Sequence, residues 1–241
     1  MKPLSLRILL PVLAAVMCLA GVAQAASDKA PVVVELFTSQ GCSSCPPADA
    51  FAGKLAQQDD LIVLSFHVNY WDYIGWKDPF ATEETTNRQH AYARALGLRH
   101  VYTPQMVIDG NTHEVGSDIT AVRKAIKSAE KADPRIPVSA TVVDGGKVRV
   151  DLPAVDRPVD AVVLMAVFDK SHETDVRRGE NRGRTLTNYN VVRHLIRLGD
   201  WKGDAKSFEF ATDGAGPGIG CVVLVQAAGN GPILGAAKIP G

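Results

Sequence analysis

"LFTSQGCSSCPPAD", residues 36–49, places two cysteines three positions apart, directly behind an apolar run. The run itself, "PVVVELF" at 31–37, is β-branched and unbroken, the pattern of a strand buried on both faces. Pro46-Pro47 cannot lie inside a helix but suits a helix's first turn. "ADAFAGKLAQ" follows, with Phe51 and Leu55 at helical spacing. Cys42 therefore falls on a strand-to-helix turn and Cys45 opens the helix. The unpaired N–H groups of a helix start favour a thiolate and lower a thiol pKa. The spacing lets both sulfurs meet without moving the backbone. The chemistry expected is attack of the Cys42 thiolate on a partner disulfide, then resolution by Cys45.

Working outward, "LIVLSFHV" at 61–68 predicts a second buried strand. Asp78-Pro79 reads as a helix start, and "FATEETTNRQHAYARAL" carries that helix to a stop at Gly97. "QMVIDG" at 105–110 is a third strand ending in an Asp-Gly turn, and "NTHEV" is a short fourth. Ser117 or Asp118 caps a helix reaching about Lys131. The pattern changes after Asp133-Pro134 and Pro137. "VSATVVDGGKVRVDL" alternates apolar and polar around a Gly145-Gly146 turn, and further strand candidates run to "PILGAAKI" at 232–239. The expected architecture is an α/β domain at 28–132 followed by an antiparallel, all-β sandwich-like domain at 135–241.

The N-terminus reads as an export signal over residues 1–25. Lys2 and Arg7 precede an apolar run that ends at the small-residue cleavage site Ala23-Gln24-Ala25. The expected location is periplasmic or secreted, with no membrane span once the signal is cleaved. Disulfides persist there. The whole chain has 26 basic and 26 acidic residues. Such a balance argues against a nucleic-acid partner, which wants a strongly basic face. Of the four cysteines, Cys18 lies in the signal and Cys221 stands alone.

"FTSQGCSSCPPAD" together with "VYTPQMVIDG" resembles the thioredoxin-like superfamily. The resemblance implies a cis-proline at Pro104, facing the dithiol, with Thr103 beside it pairing with bound substrate. More narrowly, "VVELFTSQGCSSCPPAD", "SFHVNYWDYIGWKDPFA", "YTPQMVIDG" and "RRGENRGRTLTNYNVVR" are similar to signature stretches of exported bacterial proteins of unknown function, of the DUF1223 type. That likeness implies a thioredoxin-like fold with a β domain and supplies no substrate. Ser43-Ser44 replaces the usual Gly-Pro between the cysteines, and Gly41 precedes Cys42 where a Trp would stand.

The favoured reading is a thiol–disulfide oxidoreductase with Cys42 and Cys45 as catalytic pair and Thr103, Pro104 and Trp71 as substrate groove. It needs no dissociable cofactor and works with a protein or small-molecule thiol/disulfide partner. Two other readings stay open. Cys42, Cys45 and His67 would serve a copper- or zinc-handling protein, although two thiolates and one imidazole fall short of a usual ligand set. A non-catalytic scaffold is the other, since fold does not imply function. A purely structural bridge closing so short a loop gains little entropy. The aromatic loop "NYWDYIGW" at 69–76 is either a substrate wall or a packed lid, and packing is the better reading. The six arginines of 177–197 read as a hairpin and a solvated strand face rather than an anion site. "DGAGPGIG" at 213–220 leads into a strand, not a helix, which excludes a dinucleotide turn.

Overall fold

A computed structural model describes residues 30–132, 135–211 and 216–240. The export signal, Cys18, Asp133-Pro134 and part of the glycine-rich stretch lie outside the described residues. In chain order the elements are β1 (Val32–Thr38), α1 (Pro46–Leu55), β2 (Leu61–His67), α2 (Glu83–Ala95), β3 (Gln105–Ile108), β4 (Thr112–Val115), α3 (Ile119–Ala129), β5 (Ser139–Val143), β6 (Lys147–Leu152), β7 (Ala161–Asp175), β8 (Thr185–Trp201), β9 (Lys206–Ala211), β10 (Ile219–Ala227) and β11 (Ile233–Lys238).

Eight strands form one mixed sheet in the order β11-β10-β7-β8-β2-β1-β3-β4, and β5-β6-β9 form a small second sheet. This corrects the expectation of an α/β thioredoxin-like domain followed by a β sandwich. The protein is mostly β, and the strands of its second half extend the same sheet that holds β1. The cause is the open edge of β2. Its partner there is β8, which pairs in parallel at Ser65↔Val191. The Asn190 side-chain amide, in place of a ladder bond, donates to the Val63 carbonyl at 2.8 Å. An unpaired strand edge is costly to leave bare and takes a strand when one is near.

β1 and β2 are parallel, and β3 is antiparallel to β1. Every residue of β1 and β2 is buried, as their unbroken apolar runs predict. Alternate side chains feed separate cores. Val32, Val34 and Leu36 pack with Phe51 and Leu55 of α1 and with Val122 and Ile126 of α3. Val33 and Phe37 face Phe66, Tyr92 and, across the seam, Val192 and Leu224. A buried Phe or Leu contributes about 1.5–3 kcal/mol, so α1 is held chiefly by Phe51 and Leu55. A third core lies between β6 and the lower parts of β7 and β10, around Trp201.

The helix expected to start at Asp78-Pro79 starts at Glu83. Thr82 is its cap, in a reciprocal box with Thr85. Asp78 is buried instead, and its role belongs to the site. Gly97, at φ 67°, ends the helix as expected. Asp118 caps α3, accepting from the Ala121 N–H at 3.0 Å.

Candidate functional site

β1 and α1 build the centre of the site. Cys45 is the N-cap of α1, and Pro46 and Pro47 fill the first helical positions. Cys42 and Cys45 are joined as a disulfide, with Cα atoms 5.4 Å apart. The Ser44 hydroxyl donates toward Cys42 Sγ at 3.3 Å. This serine, one of the two departures between the cysteines, is therefore placed to donate to a Cys42 thiolate. The Thr103 carbonyl oxygen lies 3.9 Å from the same sulfur, and the Thr103–Pro104 bond is cis. Trp71 Nε1 donates to Thr103 Oγ1 at 2.7 Å. Cys42, Cys45, Thr103, Pro104 and Trp71 are thus brought together. The loop before β3 is anchored from below by Gln89, whose amide nitrogen donates to the Tyr102 carbonyl at 2.8 Å.

The disulfide is not open. Cys42 is 1% exposed and Cys45 is fully buried. The cover is the tip of the β7–β8 hairpin, residues 176–184. Asn181 is buried there, and its Nδ2 donates to the carbonyls of Gln40 and Cys42, both at 2.9 Å. Arg184 donates to Asn181 Oδ1 at 2.9 Å and so fixes which way the amide points. Glu180 Oε2 accepts from the Ser43 N–H at 3.2 Å. Trp76 closes the other flank, donating from Nε1 to Gln40 Oε1 at 3.1 Å. The aromatic loop is mostly packed in this way; Tyr73, at 81% exposure, stacks on Trp71 from outside. The arginines of the hairpin are exposed, as expected of a solvated turn, and the same tip also covers the dithiol. Further along β8 the arginines also line the surface, as Arg197 does beside Asp200.

Behind the disulfide lies a buried polar network. Asp49, one turn after Cys45, takes a hydrogen bond from Thr38 Oγ1 at 2.8 Å. Burial pushes its carboxyl up to about 6, against the pull of the His67 ring. His67 is fully buried, and its Nδ1 lies 2.7 Å from Asp78 Oδ2. Asp78 also accepts from the Gln40 N–H at 2.8 Å and the Phe80 N–H at 2.9 Å. Burial works against both charged forms, yet their pairing leaves His67 above and Asp78 below its ordinary value. Among the described residues His67 Nε2 has no hydrogen-bond partner. A groove between α1 and β8, lined by Gly53, Lys54, Arg184 and Tyr189, reaches Asp49 from solvent.

His67 is therefore engaged by a carboxylate, not by the cysteine sulfurs. Among the described residues no group of three His, Cys, Asp or Glu side chains is placed to hold a metal ion. Asp49, Asp78, Glu180 and Asn181 belong to the site and were missed from sequence. Only Asp49 carried a local signal, standing one helical turn after Cys45. Cys221 is a free, half-buried thiol whose pKa burial raises. It lines a separate cavity of about 180 Å³ with Leu61, Phe168 and Lys170, and no residue around the dithiol lines it.

The family model described as "Protein of unknown function (DUF1223)" matches residues 33–226. The crystal structure of protein AGR_C_4864 from Agrobacterium tumefaciens is similar at 34% identity with a TM-score of 0.77, covering 90% of this chain and 96% of that one. HBP35 of Porphyromonas gingivalis is similar at 16% identity with a TM-score of 0.58, covering 88% of this chain and 75% of that one, a likeness of fold alone. No curated protein matches this chain. The family match spans both Cys42–Cys45 and the hairpin that covers it. The chain belongs to the DUF1223 family of proteins of unknown function.

Proposed function

We propose that this protein is a periplasmic or secreted thiol–disulfide oxidoreductase. The observation that carries the reading is the Cys42–Cys45 disulfide at the start of α1, with the Ser44 hydroxyl and the Thr103 carbonyl at the Cys42 sulfur. In the reduced protein the Cys42 thiolate is stabilised by the Ser44 hydroxyl and by the positive end of α1. It attacks one sulfur of a partner disulfide and expels the other as thiolate. Cys45 then gives up its proton and attacks the Cys42 sulfur. The protein disulfide re-forms and the second partner thiolate leaves. Two electrons pass from the dithiol to the partner, and the reverse sequence oxidises a partner dithiol. Asp49, close to Cys45 along α1 and lining the groove between α1 and β8, supports passage of the proton. The export signal read in residues 1–25 supports the location.

The test is alkylation of the reduced protein by iodoacetamide as pH is varied, read by mass at Cys42. The expected result is a thiol that ionises well below the free cysteine value of about 8.5, and whose signal disappears in Cys42→Ser. A titration at or above 8.5 contradicts the reading.

A further inference from the structure

We propose that the dithiol is built for a small anionic disulfide, one carrying carboxylates close to its sulfurs. This inference rests on the thiol–disulfide reading above and names its substrate class. The place beside Cys42 already holds a carboxylate: Glu180 Oε2 accepts from the Ser43 N–H. That amide belongs to the residue between the attacking sulfur and Ser44, so a substrate carboxylate can take the same donor while its sulfur meets Cys42.

The surroundings have the matching sign. Glu180 is the sole acid between Val176 and Arg184, against Arg177, Arg178, Arg182 and Arg184. Arg177, Arg178 and Arg182 are exposed, and among the described residues their side chains have no hydrogen-bond or ion-pair partner. Arg184 is turned onto the Asn181 amide oxygen. Arg178 and Arg182 stand two residues either side of Glu180, so their Cα atoms lie within about 7.6 Å of its own. Gly179 at the tip lies close to Trp76: a Cβ added there would sit 3.2 Å from the Trp76 Cβ. Size follows from cover: Cys42 is 1% exposed under the tip, so the tip lifts before any disulfide meets it, and a slender molecule needs the smaller opening.

The Cys42 thiolate breaks the anionic disulfide, Cys45 resolves the mixed disulfide, and the two electrons of the protein dithiol leave on two anionic thiolates.

The test uses pre-reduced full-length protein in single turnover with near-isosteric disulfides: dithiodipropionate (anionic), hydroxyethyl disulfide (neutral) and cystamine (cationic). Each rate is divided by that of the same disulfide with dithiothreitol. The expected result at low salt is a preference for the anion over the cation of about tenfold or more, the scale of electrostatic steering. High salt and the triple variant Arg177→Gln/Arg178→Gln/Arg182→Gln both shrink it several-fold. If the neutral disulfide reacts but the anion has no advantage, or the triple variant keeps the full preference, this inference falls and the redox reading stands. If none of the three reacts faster than with Cys42→Ser, both fall.

Discussion

Asn181, at the tip of the β7–β8 hairpin, donates its side-chain amide to the Cys42 carbonyl at 2.9 Å, across 139 residues of sequence. One residue thus ties the cover to the reactive turn. Asn181→Ala leaves the buried carbonyls of Gln40 and Cys42 without that donor. An unsatisfied buried group costs about 1–3 kcal/mol, and a cost of one or two kcal/mol favours the lifted tip by a factor of roughly 5–30. Reduction of the native disulfide by dithiothreitol, followed by mass after alkylation, is expected to speed up by about that factor. An unchanged rate means the tip does not limit access.

Asp49 sets a pH signature. Its folded pKa of about 6 lies above the ordinary 3.8. Below pH 4 the carboxyl is neutral in both folded and unfolded chains, and no penalty applies. Between about 4 and 6 the unfolded chain ionises first, so stability falls as pH rises; above 6 the loss is complete. The two-unit shift corresponds to about 3 kcal/mol. Asp49→Asn keeps an acceptor for Thr38 and removes this slope. Urea denaturation is expected to find the variant more stable at pH 7.5 by up to about that amount, with the gap closing toward pH 4. The facing groups, His67 and Asp78, are the same in both proteins.

Glu35 and Arg88 form a buried pair at 2.6 Å, and the same guanidinium nitrogen donates to Tyr92 Oη and Gln226 Oε1, both at 3.1 Å. This joins β1, α2 and β10 across the seam. Arg88→Met strands the Glu35 charge in the interior. The expected cost is about 3–5 kcal/mol, read as a lower urea midpoint. A change below 1 kcal/mol contradicts the pairing.

Gly53 lets α1 lie directly on β8. A Cβ there would sit 2.4 Å from the Tyr189 ring. Gly53→Ala improves helix propensity by about 1 kcal/mol, so a net loss isolates the clash. Thermal unfolding is expected to show a destabilisation of about 1–3 kcal/mol; a gain in stability contradicts the contact.

What the sequence disclosed, and what it withheld, follows from the range of each signal. The strands β1 and β2 were legible because burial on both faces leaves no polar alternation. The start of α1 was legible from Pro46-Pro47, and the cysteine pair from its spacing. Val191 gave no sign that it would meet Ser65, because the backbone groups that pair strand edges are alike in every residue. For the same reason the second half read as a sandwich of its own. Asp78 read as a helix start, since its partners Gln40 and His67 lie 38 and 11 residues away. The covering role of the hairpin tip was not legible, because nothing local records that Glu180 reaches Ser43.

The account stands on Cys42–Cys45 being a couple that opens and closes in use. Its most direct test is equilibration of the protein in graded thiol–disulfide buffers, with the oxidised fraction read by mass after alkylation. A midpoint between about −120 and −270 mV, the span of working dithiols, is the result predicted. A midpoint below about −300 mV, where permanent structural bridges lie, would contradict it.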